Sequence, residues 1–349
     1  MNPYTLKTIK SWKKMPHEHV KVNEFRLRSE AILRADKEIK LPAWDTPGVH
    51  PRDNQAFVRA IFWHTVVNFA FTLFGVRGKN GELLKFTVES CCSKDWRRKT
   101  IFRGSMAMGA CFYRAFGEKI ILARDILPHA ENLNATKWFF GGTNSIPMVE
   151  ERWELLLEAC EVVERDFAGD PWNIWEEGRF RAYGSKSQPG IVEILKTRFP
   201  KTFGQDMVKY GDSVFYFDKR AHLAVLEYHD RAEYFPKELP LIEDIYELGP
   251  VPDYELPRSY FADGLFEYSP GFEAMISCGR LVEPRGQIEM EIRGATCFAQ
   301  TLELECANTE RAKLGLPLWH IGHVDFYRWS RGKALAGKYN HHLCRTTAY

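Results

Sequence analysis

Apolar residues that recur every three or four positions constrain this chain more than any other feature, because that spacing places them on one face of an α-helix. The clearest case is segment 149–167, where apolar residues alternate four and three positions apart from Val149 to Phe167. Glu150 and Glu151 fall in its first turn, where the helix dipole stabilises negative charge. The same spacing predicts helices at 22–35, 191–199 and 289–314 and a final helix that contains 325–330. The chain is therefore predicted to be mainly α-helical.

Two segments near residue 80 lack helical spacing. Residues 71–77 and 82–89 are predicted to be strands, because the glycine-rich segment 78–81 separates them and favours a tight turn. The predicted fold class is accordingly mainly α with a small antiparallel β element.

Two longer helices are predicted from apolar content. One begins after Asp53 and continues to Phe71, which places His64 and Asn68 four positions apart on one face. These two polar side chains are interpreted as satisfied core residues more readily than as ligands. The other predicted helix covers 260–279.

The overall composition limits the class of partner. The chain has 349 residues, of which 45% are hydrophobic, which suffices for one large domain or two lobes. Lys and Arg number 48 against 46 Asp and Glu, so the net charge is only +2. This balance argues against broad binding of a nucleic-acid backbone but leaves room for a local basic pocket. Direct binding of nucleic acid is therefore not expected.

The sequence features that report on cellular location indicate a cytoplasmic protein without a membrane anchor. The N-terminal 20 residues contain no apolar segment of the kind found in signal peptides. The longest apolar run, 60–75, is interrupted by His64 and Asn68 and is too short to cross a bilayer. The eight cysteines are scattered, which is typical of reduced thiols.

Several familiar motifs are absent from the sequence. It contains no Walker A loop, no GxGxxG after a strand and no GxSxG. The histidine pairs at 17 and 19, 320 and 323, and 341 and 342 lack further ligands at the spacing of a zinc site. We therefore predict neither a metal nor another cofactor. Glu291 and Arg293 are interpreted as a buried structural pair, since buried charges are usually paired.

The segment 241–269 carries the most promising catalytic candidate, Asp253. Prolines at 250, 252 and 257 restrict the backbone on both sides of this residue, so its carboxylate can be aimed. Asp244 and Glu247 precede it and are candidates to assist it. A structural interpretation remains open, in which Asp253 only caps a helix that begins near Leu256.

The order of the segments resembles the queuosine salvage family, the queuosine 5′-phosphate N-glycosylase/hydrolases. The family pattern FADYRLPQ followed by G-L-x-YS is similar to 251–257 followed by 264–269. Its EVEIRG is similar to 289–294, and its FYKRAQILVADTW begins like 217–225. Weaker similarities lie at 66–71, 146–153 and 342–349. The matches fall in the same order as in the family and cover about residues 44–349.

This resemblance implies a helical fold similar to that of helix-hairpin-helix DNA glycosylases. It implies a domain at 44–349, preceded by an N-terminal arm or helix at 1–43. A split of the larger domain into two lobes near 145–215 is left open. The implied activity is hydrolysis of the N-glycosidic bond of queuosine 5′-monophosphate, which releases the 7-deazaguanine base queuine.

The resemblance also implies roles for individual residues. The catalytic Asp of the family corresponds to Asp253, and base-binding positions correspond to His50, Val251, Asp325 and Phe326. The family has Phe at 251 and Asp at the position of Ser330, so the base that this chain binds can differ from that of the family.

Chemistry supports these assignments. Breaking a ribosyl C–N bond develops positive charge on the sugar, which a fixed carboxylate stabilises. Asp325 can accept hydrogen bonds from the N1–H and 2-amino edge of a guanine-like ring. Trp44, Phe326 and Trp329 are aromatic candidates for stacking on that ring. The candidate cations for a 5′-phosphate are Lys219, Arg220 and Arg345.

Three functional hypotheses follow from the sequence. The first is metal-independent hydrolysis of queuosine 5′-monophosphate, a small-molecule nucleotide. The second is N-glycosidase activity of the same fold on a different deazaguanine or modified nucleotide. The third is a non-catalytic protein that binds such a base.

Overall fold

The computed structural model describes residues 2–79, 81–90, 99–185 and 187–349, and most of these lie in α-helices. The helices are α1 (Pro3–Lys13), α2 (Glu24–Arg34), α3 (Asn54–Val66), α4 (Ser105–Phe116), α5 (Ala123–Ala130), α6 (Leu133–Phe139), α7 (Val149–Asp166), α8 (Trp172–Glu177), α9 (Ile191–Arg198), α10 (Lys219–Tyr234), α11 (Glu255–Ala262), α12 (Pro270–Cys278), α13 (Gln287–Lys313) and α14 (Ile321–Ala334). Single 3₁₀ turns occupy Gly204–Asp206 and Ile245–Glu247. The prediction of a mainly α fold is confirmed.

The strands are short and form two-stranded pairs. They are β1 (Val20–Val22), β2 (Thr72–Arg77), β3 (Leu83–Lys85), β4 (Thr87–Ser90), β5 (Thr100–Arg103), β6 (Met207–Tyr210), β7 (Ser213–Tyr216), β8 (Phe266–Tyr268), β9 (Leu281–Val282) and β10 (Leu343–Cys344). Antiparallel pairing joins β1 to β8, β2 to β3, β4 to β5 and β6 to β7, whereas β9 and β10 run parallel.

The predicted β element at 71–89 is present but is divided differently. β2 pairs with β3 across the glycine-rich segment, of which Asn80 lies outside the described residues. After β3, the N–H of Phe86 still donates to the carbonyl oxygen of Phe71 over 2.8 Å. The following strand, β4, pairs with β5 instead. One predicted strand is therefore two short strands with different partners.

The helix predicted from Asp53 to Phe71 ends earlier, at Val66. The carbonyl oxygens of Val66 and Phe69 accept hydrogen bonds from the side chains of Arg220 and Arg152, respectively. These contacts with residues distant in sequence replace the helical bonds that the segment would otherwise make. Asn68 therefore lies beyond the helix, and the prediction that it shares a helical face with His64 is wrong.

The helix predicted over 260–279 is also interrupted. α11 ends at Ala262, and Gly264 adopts a φ of +69°, a left-handed conformation that glycine accommodates without strain. β8 follows and pairs with β1. α12 begins afterwards, where Ser269 accepts the N–H of Phe272 over 3.3 Å as its N-cap.

Two large apolar clusters form most of the core within the described residues. The first contains buried side chains of α3, α4, α7, α9 and α10. The second contains buried side chains of α1, α11 and α13 together with the strands β6 to β8. A small third cluster joins Ala35, Ala307 and Trp319.

Charged residues in the first half of α13 anchor other parts of the chain. Glu291 accepts the backbone N–H groups of Glu18, His19 and Val20 over 3.1, 2.7 and 2.9 Å. Arg293 donates to both carboxylate oxygens of Asp206 over 2.7 and 2.9 Å. Neither residue pairs with the other, so the predicted Glu291–Arg293 pair is wrong.

The first 43 residues make extensive contacts with the remainder of the chain. α1 packs on β7 and α13, and α2 also packs on α13. The boundary at residue 43, the two-lobe division and the likeness to DNA glycosylases stay predictions. Within the described residues, no helix combines the length and the apolar character needed to cross a bilayer.

Candidate active site

A cavity opens between the facing sides of α10 and α14 and reaches the proline-rich loop before α11. It encloses about 820 Å³, part of it open to solvent, which is within the size range of small-molecule sites. The described residues that line it are Trp44, Asn68, Phe71, Lys85, Gly104, Ser105, Met106, Lys219, Leu223, Leu226, Glu227, Asp230, Val251, Asp253, Tyr254, Glu255, Gly322, Asp325, Phe326, Trp329 and Lys333.

The strongest polar feature of this cavity is an ion pair between Asp253 and Lys219. Lys219 Nζ lies 3.0 Å from Asp253 Oδ2, and only 2% of the lysine side chain and 13% of the aspartate side chain are exposed. Asp253 Oδ1 accepts the N–H of Glu255 over 2.9 Å at the start of α11. The two oxygens therefore have separate partners, which fixes the plane of the carboxylate.

Lys219 is held from several directions. Its ammonium group donates to the side-chain oxygen of Asn68 over 3.3 Å. Its backbone N–H donates to Asp206 Oδ2 over 3.0 Å, and Asp206 is itself clamped by Arg293. The buried pair between α13 and Asp206 thus places the first residue of α10, and with it the ammonium group beside Asp253.

The loop that carries Asp253 is fixed by buried hydrogen bonds as well as by its prolines. His222 Nδ1 lies 2.8 Å from the carbonyl oxygen of Pro250. A Cβ atom on Gly249 would lie 2.5 Å from the ring of His222, so only glycine allows this close approach. The N–H of Val251 donates to Gln300 Oε1 over 3.2 Å. Asp253 is therefore presented by a rigid support.

Asp325 on α14 faces the cavity beside this loop. Gln300 Nε2 donates to Asp325 Oδ1 over 3.2 Å, while its Oε1 accepts from Val251. The single amide of Gln300 thus joins Asp325 to the loop of Asp253. Burial and the nearby carboxylate of Asp253 raise the pKa of Asp325 to about 7, despite the opposing effect of Lys219.

Two more carboxyl groups lie further along α10. Glu227 is 8% exposed and Asp230 is 3% exposed. Burial raises the pKa of Glu227 to about 8, opposed by Lys219 and assisted by Asp325. Burial also raises the pKa of Asp230 well above its usual range. This part of the cavity is therefore rich in buried acidic groups with raised pKa values.

Lys85 and Lys333 form a basic part of the cavity. Lys85 forms an ion pair with the buried Glu255, which also lies 2.9 Å from Arg258. Lys333 on α14 extends over the ring of Trp329, with Nζ 4.6 Å from the ring centroid. Burial and the charge of Lys85 lower the pKa of Lys333. Gly104 and Ser105, where α4 begins without a side-chain cap, line the same cavity.

Aromatic side chains supply flat walls. Trp44, Phe326 and Trp329 all line the cavity, as does Phe71. The rings of Phe326 and Trp329 are nearly parallel, with an interplanar angle of 27° and centroids 6.3 Å apart. Such surfaces suit a planar heterocycle.

Comparison with known proteins shows which family this chain belongs to. The family model described as "Queuosine salvage protein" matches residues 49–349. The chain belongs to the queuosine salvage protein family. The resemblance found in the sequence is thereby confirmed.

Curated relatives in this family carry one name. A queuosine 5′-phosphate N-glycosylase/hydrolase of Sphaerobacter thermophilus is 26% identical over 253 residues, covering 71% of this chain and 73% of the relative. A protein of that name from Nematostella vectensis is 23% identical over 321 residues, covering 87% and 86%. Another from Bos taurus is 22% identical over 273 residues, covering 77% and 73%.

Seven of the site candidates proposed from the sequence lie together in the cavity of this queuosine salvage family member. They are Trp44, Lys219, Val251, Asp253, Asp325, Phe326 and Trp329. His50 lies behind Trp44, with ring centroids 5.8 Å apart, and burial lowers its pKa to about 4. His50 therefore supports the aromatic wall without lining the cavity.

The remaining candidates lie elsewhere. Ser330 is on α14 but does not line the cavity, and Arg345 is exposed and lies 3.0 Å from Glu151. Asp244 accepts the N–H groups of Ala182 and Tyr183 over 2.7 and 3.0 Å. Glu247 is exposed. The last two acids are therefore not placed to assist Asp253.

Arg220 does not reach the cavity either. Its guanidinium group is buried and donates to the carbonyl oxygens of Val66 and Thr202. Arg220 is therefore committed to the backbone and is not placed to bind a phosphate in this cavity.

Sequence reasoning missed the lining residues Lys85, Glu227, Asp230 and Lys333, and it interpreted Asn68 as a core residue. A signal was available for two of them. Counting along α10 from Lys219 in steps of four and three reaches 223, 227 and 230, so the helical face that carries Lys219 also carries both acids. No comparable local pattern indicated the others.

One group outside the cavity has the composition of a metal site. Ligand atoms of His229, Glu233 and His320 lie within 4.8 Å of one another. However, Nδ1 of His229 accepts the N–H of Ile242 over 3.1 Å, and Nδ1 of His320 accepts the N–H of Gly322 over 3.2 Å. A ring whose Nδ1 accepts a hydrogen bond carries its proton on Nε2. Nε2 lies 3.5 Å from Glu233 Oε1 in His229 and 3.9 Å from it in His320. This chemistry fits hydrogen bonds to a carboxylate better than coordination of a metal.

The raised pKa of Glu227 gives a prediction about stability. Between about pH 4.5 and pH 8 the folded protein binds more protons at this site than the unfolded chain does, so the free energy of unfolding falls as pH rises. Glu227→Gln has no carboxyl group to ionise, so this fall in the free energy of unfolding is removed. The variant should be more stable than wild type at pH 8 by roughly 1–3 kcal/mol, with little difference at pH 4.5. Denaturant unfolding across this range measures the effect, with the exposed Glu305→Gln as the matched control. A constant difference at all pH values would contradict the assignment.

Proposed function

We propose that this protein hydrolyses the N-glycosidic bond of queuosine 5′-monophosphate and releases queuine. The observation that carries the proposal is the rigidly held, buried Asp253–Lys219 pair in the cavity of a queuosine salvage family member. The names of its relatives supply the substrate class. A small-molecule nucleotide also fits the volume of the cavity.

In the proposed reaction, Asp253 acts on the sugar. The bond between the ribosyl C1′ and the base nitrogen breaks, and its electron pair leaves with the base. The positive charge that develops on the sugar is stabilised by the carboxylate of Asp253. Lys219 lies 3.0 Å from this carboxylate and orients it before substrate binds. Water then adds to C1′ and loses a proton.

Asp325 acts on the departing base. A 7-deazapurine has carbon in place of N7, so protonation at that position cannot assist its departure. A carboxyl group with a pKa of about 7 is suited to exchange a proton near neutral pH. We assign to Asp325 the proton that the base takes up, and the proton released by water restores the acid. Gln300 holds Oδ1 of this acid as an acceptor, which leaves Oδ2 to carry the proton.

The basic part of the cavity is assigned to the 5′-phosphate. Lys85 and Lys333 supply positive charge, and the uncapped start of α4 supplies backbone N–H groups. Lys333 and Asp253 line the same cavity. A phosphate at Lys333 would thus be near a ribose at Asp253.

This assignment is tested by comparing queuosine 5′-monophosphate with the nucleoside queuosine. Purified protein should release queuine from the nucleotide, as followed by chromatography. Lys333→Met should lower kcat/KM for the nucleotide by about 10-fold or more, because a charge-assisted hydrogen bond is lost. The same change should affect the nucleoside by less than about 3-fold. The exposed Lys338→Met, five positions along the chain, is the control.

Two outcomes would contradict the proposed function. Absence of queuine release from the nucleotide by wild-type protein would exclude the reaction. An equal loss for nucleotide and nucleoside in Lys333→Met would exclude its role at the phosphate.

A second candidate substrate is another 7-deazaguanine nucleotide. The observation that favours it is Val251, which is 1% exposed and lines the cavity where the family pattern has Phe. The smaller side chain leaves room at the base, so the bond cleaved would be the same but the base would differ. The same chromatographic assay with other 7-deazaguanine nucleotides distinguishes these candidates.

Location and other partners remain proposals from the sequence. The cysteines at 111, 160, 278, 297, 306 and 344 are free, in keeping with a cytoplasmic protein. We propose no direct contact with nucleic acid, because the net charge is close to zero.

A further inference from the structure

The start of the N-terminal helix α1 is bonded to the chain just before Asp253, although α1 precedes the segment 49–349 that matches the family model. Asn2 is 1% exposed, and its Oδ1 caps α1 by accepting the N–H of Thr5 over 2.8 Å. This bond fixes the orientation of the amide. Nδ2 of Asn2 is therefore a donor that faces the rest of the chain.

Nδ2 of Asn2 has two partners beyond α1. It donates to the carbonyl oxygen of Glu247 over 2.8 Å and to the phenol oxygen of Tyr183 over 3.1 Å. Glu247 ends the 3₁₀ turn that leads into the loop of Asp253. One amide group at the N-terminus thus holds both the entry to this loop and a buried tyrosine beside it.

The phenol group of Tyr183 connects Asn2 to the loop itself. Its oxygen accepts the N–H of Gly249 over 3.3 Å and lies 2.9 Å from Nε2 of His222. Nδ1 of His222 lies 2.8 Å from the carbonyl oxygen of Pro250, which can only accept, so Nδ1 carries the proton and Nε2 is an acceptor. Tyr183 therefore donates its hydroxyl proton to His222, and the chain of hydrogen bonds is complete from α1 to the loop.

The packing around Gly249 shows that these contacts leave little freedom. A Cβ atom on Gly249 would lie 2.8 Å from Thr5 Oγ1 and 2.5 Å from the ring of His222. The side chains of Tyr183 and His222 are both buried, so water does not replace a lost partner. The backbone at 249 and 250 is thus held between α1 and α10.

α1 can support the loop because it is itself anchored to β7. Thr8 Oγ1 donates to the carbonyl oxygen of Tyr216 over 3.1 Å and accepts the N–H of the same residue over 2.8 Å. Ser11 Oγ does the same with Val214, over 2.8 and 3.2 Å. Thr8 and Ser11 are three positions apart and share one face of the helix. Two buried hydroxyl groups therefore fix α1 to the strand.

We propose that Asn2 and Tyr183 are positioning residues for Asp253. Their hydrogen bonds hold the loop so that the carboxylate of Asp253 meets the ribosyl C1′ without rearrangement. The inference rests on the proposed function for the role of Asp253. It makes the N-terminal helix a working part of the active site, although this helix lies outside the segment that matches the family model.

The test removes single hydrogen-bonding groups from the full-length protein. Tyr183→Phe deletes the phenol oxygen. Asn2→Ser retains an N-cap for α1 but removes the donor to Tyr183. Tyr228→Phe is the matched control, because Tyr228 is also buried and its OH donates to a proline carbonyl oxygen, that of Pro240, over 3.0 Å.

Steady-state release of queuine from queuosine 5′-monophosphate is the first measurement. Tyr183→Phe and Asn2→Ser should each lower kcat by about 10-fold or more, because the carboxylate of Asp253 is displaced. KM should stay within about 2-fold, since Asp253 stabilises charge that develops only in the transition state. The control should keep kcat within about 2-fold of wild type. An unchanged kcat in Tyr183→Phe, or a rise in KM alone, would overturn the proposal.

Hydrogen–deuterium exchange of the same proteins is the second measurement and needs no turnover. The N–H groups of Gly249, Val251 and Asp253 are all hydrogen-bonded. Peptides that contain 249–253 should therefore exchange at least about 5-fold faster in Tyr183→Phe and Asn2→Ser than in wild type or the control. Unchanged exchange in peptides from α7 shows that the variants are folded. Loop exchange at the wild-type rate in either variant would overturn the proposal.

Together the two measurements separate this inference from the proposed function. Faster exchange of the loop in a protein that releases no queuine would support the hold of α1 on the loop and refute the hydrolase. Queuine release that is as fast in Tyr183→Phe as in wild type would support the hydrolase and overturn the inference.

Discussion

Asp253→Asn is expected to lower kcat for queuine release by about 10³-fold, because the charge that stabilises the ribosyl cation is removed. The fold should be retained, since asparagine also accepts the N–H of Glu255 at the start of α11. Single-turnover base release, quenched and separated by chromatography, measures the loss.

Asp244→Asn is the matched control for this variant. Asp244 is a buried aspartate of the same segment, but its oxygens accept backbone N–H groups outside the cavity. We expect kcat to remain within about 2-fold of wild type in folded Asp244→Asn protein. If Asp253→Asn turns over as fast as Asp244→Asn, then Asp253 only supports the helix.

Arg328→Met is expected to produce the largest loss of stability. Arg328 is completely buried on α14 and donates to both oxygens of Glu303 over 2.9 and 3.1 Å. It also donates to Asp263 Oδ2 over 3.0 Å. Removing one partner from a buried ion pair costs about 3–5 kcal/mol. Glu303 keeps its contacts with Arg34 and Tyr260 but loses both hydrogen bonds from Arg328. Denaturant unfolding monitored by circular dichroism measures this difference.

The control is Arg331→Met, one turn further along α14. Arg331 Nη2 lies 2.7 Å from Asp263 Oδ1, but 45% of its side chain is exposed. An exposed pair of this kind contributes about 1 kcal/mol or less. If both variants lose the same free energy of unfolding, burial does not determine how much each arginine contributes to stability. Because α14 also carries Asp325 and Phe326, a large effect at Arg328 would link the stability of the helix to the site.

The helices with regular apolar spacing could be predicted from the sequence. α7 and α13 follow 149–167 and 289–314 within two residues, because their apolar faces meet the core along their whole length. The ends of α3 and α11 could not be predicted. α3 stops at Val66, whose carbonyl oxygen binds the buried Arg220, and Arg152 binds the carbonyl oxygen of Phe69 just beyond it. Both arginines lie more than 80 residues away in the chain.

In the candidate site, too, some residues could be predicted from the sequence and others could not. Asp253 could be identified because prolines next to it constrain the backbone locally. Its partner Lys219 was assigned to the phosphate, whereas the structure places the ammonium group against Asp253. Gln300 gave no sequence signal, and Asn68 was interpreted as a core residue. The roles of both arise from contacts with Lys219, Val251 and Asp325 that only the fold creates.

The most direct test of the central claim is a crystal structure of Asp253→Asn with queuosine 5′-monophosphate bound. We expect C1′ of the ribose to lie within about 3.5 Å of the side chain of residue 253. The phosphate should contact Lys85 or Lys333, and the base should contact Asp325. A nucleotide bound in the reverse direction, with its phosphate beside Trp44 and its base beside Lys333, would contradict the account.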